Sequence, residues 1–373
     1  MTAQLARRRL QLLRERRGIS QEEMARALGF KDRQTLSAIE LGERQIQPAE
    51  LVAAAQFFQV EIDFFTDPFE LAGEGRFSWR QSGSSVAELD RVEAQAGRWL
   101  AAFRYFSKLK GERFHSLQLR VAIGPGSAYE DAAAEGEAIA AELGLGLVPA
   151  RELARVLEDD LGTLVLYMEP AAGISGAACR LSELNAILIN RRDPPARQAF
   201  DLAHELFHLL TWDVMPPGRR DGQSSAGAKN RVERLAENFA AGLLVPRPAV
   251  ERLLREDPLG QPRNKEAWAS WLASSAEQLE VSAPALKWRL VNLGLLKKAE
   301  AERISDEDLR KHRPSRPAGS LPPRFSRRFV ELLGWGLEQG HASVRRMASV
   351  LGFTVDDLAA LFREHQLEPP FDL

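Results

Sequence analysis

Asp201-Leu-Ala-His-Glu-Leu-Phe-His-Leu-Leu210 is the stretch whose reading decides the fold. His204, Glu205 and His208 spell H-E-x-x-H within it. On a helix, residues four apart project from one face, so both imidazoles reach a single metal ion. Glu205 lies one step round and is placed to hold a water at that metal without ligating it. Phe200, Leu202, Ala203, Leu206, Phe207, Leu209 and Leu210 surround the trio with apolar side chains, which predicts a helix inside the fold. An uncompensated histidine pair there costs free energy, and a metal supplies the compensation. The bland alternative is a pair of core histidines satisfied by backbone or carboxylate partners.

A catalytic zinc site takes three protein ligands and keeps a fourth position open. The third ligand is expected from a second helix. Residues 231–246 read as an amphipathic helix stopped by Pro246, with Val232, Leu235, Ala236, Phe239, Ala240, Leu243 and Leu244 at helical spacing. Glu233, Glu237 and Asn238 are the polar candidates beside that stripe. Glu233 shares a face with Ala236, which is small enough to let two helices approach. Glu233 is therefore assigned as the ligand, with Glu237 as runner-up. The donor types point to zinc, with manganese as an alternative.

His204-Glu-Leu-Phe-His208, followed by Glu233-Arg-Leu-Ala236-Glu-Asn-Phe239-Ala240-Ala-Gly-Leu243-Leu244-Val-Pro246, resembles the ImmA/IrrE family of metallopeptidases over roughly residues 115–296. The approach Ile187–Asn190 and Arg197–Phe200 resembles the strand and helix start that precede the family's motif. Two positions depart from its pattern: Phe207 stands where members usually carry Gly, and Glu237 where Asn is common. The resemblance implies a zincin-like core and a narrow task, one cut in a helix-turn-helix repressor that switches on stress, DNA-damage or mobile-element genes.

Lysine plus arginine number 50 against 52 acidic residues, so nucleic-acid binding must come from a local patch and not from overall charge. A single cysteine, Cys179, excludes a disulfide framework and a cysteine-based zinc ribbon, and suits a reducing compartment. No charged-then-apolar leader opens the sequence and no apolar run approaches a membrane span. The expectation is a soluble, cytoplasmic protein with no membrane partner.

Residues 1–66 read as a DNA-binding module. Leu5, Leu10, Leu12 and Leu13 mark an arginine-rich first helix closed by Gly18. Ser20-Gln-Glu-Glu23 is a capping box opening a short second helix. Asp32 caps a third, residues 33–41, whose Leu36, Ile39 and Leu41 are expected to face inward while Arg33, Gln34, Thr35 and Ser37 point out. Residues 48–58 supply a fourth. Helix, short helix, tight turn and exposed polar helix is helix-turn-helix logic. Gln21, Ala25, Leu28, Gly29, Ser37, Glu40 and Gly42 carry a resemblance to the XRE, lambda-repressor-like family. That resemblance implies that Gln34, Thr35 and Ser37 reach base edges or the sugar-phosphate, that Arg33 reads guanine or clamps phosphate, and that Gln21 and Arg44 contact phosphate. A homodimer on a two-fold, double-stranded operator is the expected mode.

Residues 67–114 read as a linker, with its breakers at 67–88, and a connecting helix whose stripe from Leu89 through Trp99, Phe103 and Phe106 is core or a dimer seam. The metallopeptidase domain is assigned to 115–300. It holds a short strand around Leu119–Ile123, helices near 128–143 and 149–159, and strands at 163–168, 176–181 and 186–190. An extended peptide can add to the edge of such a small sheet. Residues 214–230 read as a loop that covers the cleft. Residues 301–373 read as a charged, proline-rich linker, around 303–324, and a small helical C-terminal domain. His115, His312, His341 and His365 lie in no motif.

The fold class is thus α+β and mostly helical: an N-terminal helix-turn-helix, a central zincin-like domain with a small sheet, and a helical C-terminal domain. The functional expectation is a DNA-binding transcriptional regulator that carries a zinc-dependent endopeptidase. It cuts its own chain or a partner repressor, with single-stranded DNA a candidate activator implied by the family. The competing reading is a regulator whose peptidase-like domain only senses a metal or ligand.

Overall fold

The computed structural model describes residues 2–71, 73–112, 114, 117–170, 173–219, 228–256, 264–312 and 321–372. In chain order the first elements are α1 (Thr2–Arg16), α2 (Gln21–Ala27), α3 (Arg33–Leu41), α4 (Pro48–Phe58), α5 (Asp63–Thr66), β1 (Arg76–Gln81) and α6 (Val86–Lys110). Then come α7 (Tyr129–Glu142), α8 (Pro149–Asp159), β2 (Leu164–Met168), β3 (Ile174–Arg180), β4 (Asn185–Asn190), α9 (Pro195–Thr211) and α10 (Ala228–Leu244). The remainder is helical: α11 (Arg247–Glu256), α12 (Lys265–Gln278), α13 (Ala283–Asn292), α14 (Lys298–Arg303), α15 (Asp306–Lys311), α16 (Arg327–Glu338), α17 (Val344–Leu351) and α18 (Val355–Glu364). The chain is mostly helical α+β. It forms two compact units, one of Met1–Arg76, Val86–Arg113 and Arg327–Leu373, the other of Phe77–Ser85 and Phe114–Ser326.

In the first unit, Leu10, Met24, Leu36, Ile39, Ala54, Phe58 and Phe65 close a core between α1 and α5. The Ser20 hydroxyl accepts from the Glu23 amide at 3.1 Å, while the Ser20 amide donates to the Glu23 carboxylate at 2.8 Å. Asp32 caps α3 through the Thr35 amide at 3.0 Å, and Gly42, at φ 85°, ends it in the left-handed region that favours glycine. Leu41 is 67% exposed, against the expectation that it faces inward. The buried face of α3 follows i, i+3, i+4 from Leu36 through Ile39 to Glu40, and Leu41 falls off it. Arg9, in the basic first helix, is fully buried and donates to the carbonyls of Phe64 and Asp67, both at 2.8 Å.

The apolar stripe of α6 is core. Trp99 Nε1 donates to the Leu351 carbonyl at 3.1 Å, Phe103 stacks on Phe329 at 5.6 Å, and Gly336 lies where a Cβ would collide with the Phe106 ring. The sequence reading gives α16, α17 and α18 a domain of their own. They instead fall in the first unit, where α16 and α17 pack on α6 and α18 packs on α17.

The second unit is built on a four-stranded sheet of order β1-β3-β4-β2. β2 and β4 are parallel, with Leu166 opposite Leu188, and β3 and β4 are antiparallel, with Ala178 opposite Ile187. Two strand readings are corrected. The sequence reads 67–88 as a linker of which Phe77 and Trp79 dock a part, and that part is the edge strand β1; around Leu119–Ile123 no strand forms. Phe77 and Trp79 account for the first, since both bury as the chain enters the sheet. The segment 303–324 is likewise partly structured: α15 lies within it and buries Leu309, while 313–320 fall outside the described residues.

α9 packs on β3 and β4, and α10 packs on α7 and α9. Ile187, Ile189, Leu202, Ala203, Leu206, Phe239, Ala240 and Leu243 belong to the resulting core. The α7–α10 contact is backbone to backbone. A Cβ on Gly136 would collide with the Phe239 carbonyl oxygen, and one on Gly242 with that of Ala133. Two glycines thus set how closely α10 approaches the centre of the unit.

Candidate metal centre

Gln198 steers the chain out of β4 by donating to the carbonyls of Arg191 and Asp193 at 2.8 and 2.7 Å. Pro195 then opens α9, where its missing N–H costs nothing. The helix buries His204, Glu205 and His208 completely. On the facing side, Arg231 anchors the start of α10 by donating to the carbonyls of Pro125 and Ser127 at 2.8 and 2.6 Å, and Tyr129 lies beneath the Arg234 guanidinium at 4.4 Å.

These two anchored helices bring three donors together. His204 Nε2 lies 3.1 Å from His208 Nε2 and 3.1 Å from Glu233 Oε2, and His208 Nε2 lies 3.5 Å from Glu233 Oε1. Ligand atoms of a tetrahedral zinc, each about 2.0–2.2 Å from the ion, sit roughly 3.3–3.5 Å apart. Two nitrogens and a carboxylate oxygen in this spacing fit a zinc-type site. Among the described residues, this trio is the cluster of histidine, cysteine and acidic side chains with metal-binding geometry. Glu237, the runner-up, stays outside it with a half-exposed side chain.

Burial holds the His204 imidazole far below its usual range, to about 3, with His208 and Arg80 pushing the same way. Burial pushes the Glu233 carboxyl up, but its hydrogen bonds with His204 and His208 outweigh that and hold it low. Neutral imidazole and ionised carboxylate are the forms in which these groups ligate metal.

Glu205 faces the sheet. The position of a Cβ on Gly176 of β3 would be 3.6 Å from Glu205 Cγ, so the glycine leaves room for that side chain. β3 is flanked by β1 and β4, and strand addition by a peptide at β3 is therefore closed. Phe207 packs on Phe239 at 5.5 Å and meets the His208 ring edge-on at 5.9 Å, in the core between α9 and α10. Of the loop read as a cover over the cleft, 220–227 lie outside the described residues, as does His115.

In the first unit, Arg33 and Gln34 are exposed on the first turn of α3 and Ser37 is half-buried. The Thr35 hydroxyl donates to its cap, Asp32, at 3.1 Å. Gln21 donates to Glu40 Oε2 at 2.6 Å, and Arg44 grips Glu50 with both Nη atoms at 3.0 and 2.5 Å. The last two side chains therefore brace the module from within.

Sequence reasoning gave two buried carboxylates no partner. Glu40 is buried against Arg14, with Nε to Oε1 at 2.6 Å and Nη2 to Oε2 at 3.0 Å. Asp201 is buried between Arg80 and Arg197, at 2.6 and 2.9 Å. Its signal was available, because a carboxylate between Phe200 and Leu202 on a buried helix must find a cation.

Residues 10–65 match the helix-turn-helix family model, and residues 158–290 match the model of the IrrE N-terminal-like domain. The chain is 34% identical over 111 residues to the radiation response metalloprotease IrrE of Deinococcus radiodurans, covering 29% of this chain and 31% of that protein. It is 31% identical over 169 residues to the radiation response metalloprotease IrrE of Deinococcus deserti, covering 44% and 56%. The chain thus spans about a third and just over half of these relatives' lengths. A stretch that matches a helix-turn-helix domain is thus joined in one chain to a stretch that matches an IrrE N-terminal-like domain. Among the described residues no helix is long and apolar enough to cross a membrane.

Proposed function

We propose that this chain is a DNA-binding transcriptional regulator with a built-in zinc-dependent endopeptidase. It cuts its own chain, at 67–88 or 303–324, or a partner helix-turn-helix repressor, in response to stress, DNA damage or a phage signal. The observation that carries the reading is the convergence of His204, His208 and Glu233 from two helices, with Glu205 buried beside them. The names of the two relatives, radiation response metalloproteases, support it. The sequence-assigned domains 1–66 and 115–300 divide the labour, and a cytoplasmic homodimer on double-stranded operator DNA is the acting form. Single-stranded DNA is the activator to try first.

His204, His208 and Glu233 hold the metal. When bound, zinc supplies Lewis acidity toward water and toward a peptide carbonyl. Glu205 accepts a proton from the attacking water and returns it to the departing amine nitrogen. In the first unit, exposed Arg33 and Gln34 contact bases and phosphates from the start of α3.

The test is operator release. The full chain is bound to its operator fragment, selected from random sequence, and loaded with zinc or manganese with and without single-stranded DNA. Loss of the protein–DNA complex together with a discrete new fragment, blocked by a chelator, is the expected result. A complex that persists with metal bound under every condition, together with an added helix-turn-helix repressor that stays uncut, overturns the protease reading in favour of a metal or ligand sensor.

A further inference from the structure

Asp201 precedes His204 by three residues on α9 and is fully buried, so its charge depends on what faces it. Arg80 Nη1 meets one oxygen at 2.6 Å and Arg197 Nε the other at 2.9 Å. Arg80 comes from β1, outside the residues that match the IrrE N-terminal-like model, and β1 is the edge strand of the sheet. Its guanidinium carbon lies 5.9 Å from the Phe200 ring centroid, and its Nη2 lies 4.0 Å from Glu237 Oε1, too far for a hydrogen bond. A guanidinium has five N–H donors in one plane. Among the described residues Asp201 is the hydrogen-bond acceptor of this side chain, which remains 17% exposed. A fixed, partly open cation therefore stands between the second turn of the H-E-x-x-H helix and the rim of the glutamate helix.

We propose that Arg80 is a substrate-binding residue of the metal site: its open N–H donors take a backbone carbonyl oxygen of a peptide held at the metal, and Asp201 keeps the guanidinium aimed. The proposal rests on the peptidase reading of the site. An extended peptide offers a carbonyl at every residue, and a prepositioned charged donor beside the metal-site helices orients it without fresh ordering cost. The arrangement also explains why a carboxylate is buried one turn before His204 and Glu205 on the same helix face: it holds the arginine and needs no contact with substrate.

The test compares two probes on the zinc-loaded full chain. Acetohydroxamate offers only the metal-binding group, whereas a hydroxamate extended with a Leu–Ala amide adds peptide carbonyls. The variants are Arg80→Lys, which keeps a charge opposite Asp201, and Arg80→Met combined with Asp201→Asn, which removes both charges so that neither is stranded. Zinc content and thermal midpoint report folding. The expected result is that the extended probe loses about 10- to 100-fold in affinity in the double variant and less in Arg80→Lys, as for a lost charge-assisted hydrogen bond. Acetohydroxamate binding stays within about twofold, a split that a structural role does not produce. An undiminished advantage of the extended probe over acetohydroxamate in either variant overturns the role of Arg80 and leaves the metal site standing. Equal binding of the two probes to wild type does the same. A wild type that binds neither zinc nor acetohydroxamate overturns the peptidase reading itself, and the role of Arg80 with it.

Discussion

His204 Nε2 and Glu233 Oε2 stand 3.1 Å apart although 29 residues separate them in sequence. Two helices anchored by different loops have been brought to hydrogen-bonding distance at one buried point. Glu233→Ala is expected to weaken zinc binding by roughly two orders of magnitude, because one of three protein ligands is lost. Glu237→Ala, outside the cluster, should leave it within about threefold. Competition against a chromophoric chelator reads both. Equal losses would make Glu237 a ligand.

The glycine contact between α7 and α10 carries the position of Glu233. Gly242→Val forces the helices apart and is expected to cost about 1–3 kcal/mol, with weaker zinc binding alongside. Gly126→Ala, where a Cβ meets open space, serves as control and should stay within about 0.5 kcal/mol. Denaturant midpoints of the two variants decide it, and a Gly242→Val protein as stable as wild type would refute the close contact.

Acid should destabilise the metal-free protein through the same site. His204 sits neutral in the fold, held down to about 3, whereas in the unfolded chain it titrates near about 6.5. Below that pH the unfolded chain binds a proton that the native state refuses. Stability therefore falls as pH drops from about 6.5 toward 3, by up to about 1.4 kcal/mol per pH unit. Glu233, held low, adds a loss of the same sign below the ordinary carboxylate range. Chelator-treated protein should show this slope in its unfolding free energy between pH 6.5 and 5, and His204→Gln should lack most of it. Identical slopes would place the titration elsewhere.

Arg14 and Glu40 form a bidentate pair inside the helix-turn-helix module, with Glu40 almost wholly covered. Arg14→Met alone leaves a buried carboxylate braced by Gln21 only, at an expected cost of about 3 kcal/mol and with loss of operator binding. Adding Glu40→Met should restore much of that stability. Thermal melts of the single and double variants test the coupling; additive losses would mean that the pair does not interact.

The cluster of His204, His208 and Glu233 was legible because its pattern is written locally. H-E-x-x-H places two imidazoles on one helix face by spacing alone, and Glu233 stood out beside a periodic apolar stripe. The caps Ser20 and Asp32 likewise announced α2 and α3. Groups whose meaning depends on distant partners were not legible. Arg80 and Asp201 are 121 residues apart, and nothing near Arg80 marks it as part of a site. β1 is short, flanked by glycine and serine, and becomes a strand only when β3 lies beside it. The alternation at Leu119–Ile123 looks equally strand-like, yet it has no strand neighbour. Leu41 misled for a smaller reason: its hydrophobicity suggested the core, while helix geometry gave the inward place to Glu40.

Intact-mass spectrometry of the zinc-loaded full chain, wild type against Glu205→Gln at equal metal content, tests the central claim most directly. Wild type, incubated alone, with single-stranded DNA, and with a helix-turn-helix repressor, should yield a discrete pair of fragments, of itself or of the repressor, in at least one condition. Glu205→Gln should yield none while binding the same zinc and the same operator. Fragments of equal yield from both proteins would contradict the account, since the cut would then owe nothing to the buried carboxylate. An intact wild type and an intact repressor in every condition, with zinc in place, would contradict it as well and leave the site a sensor.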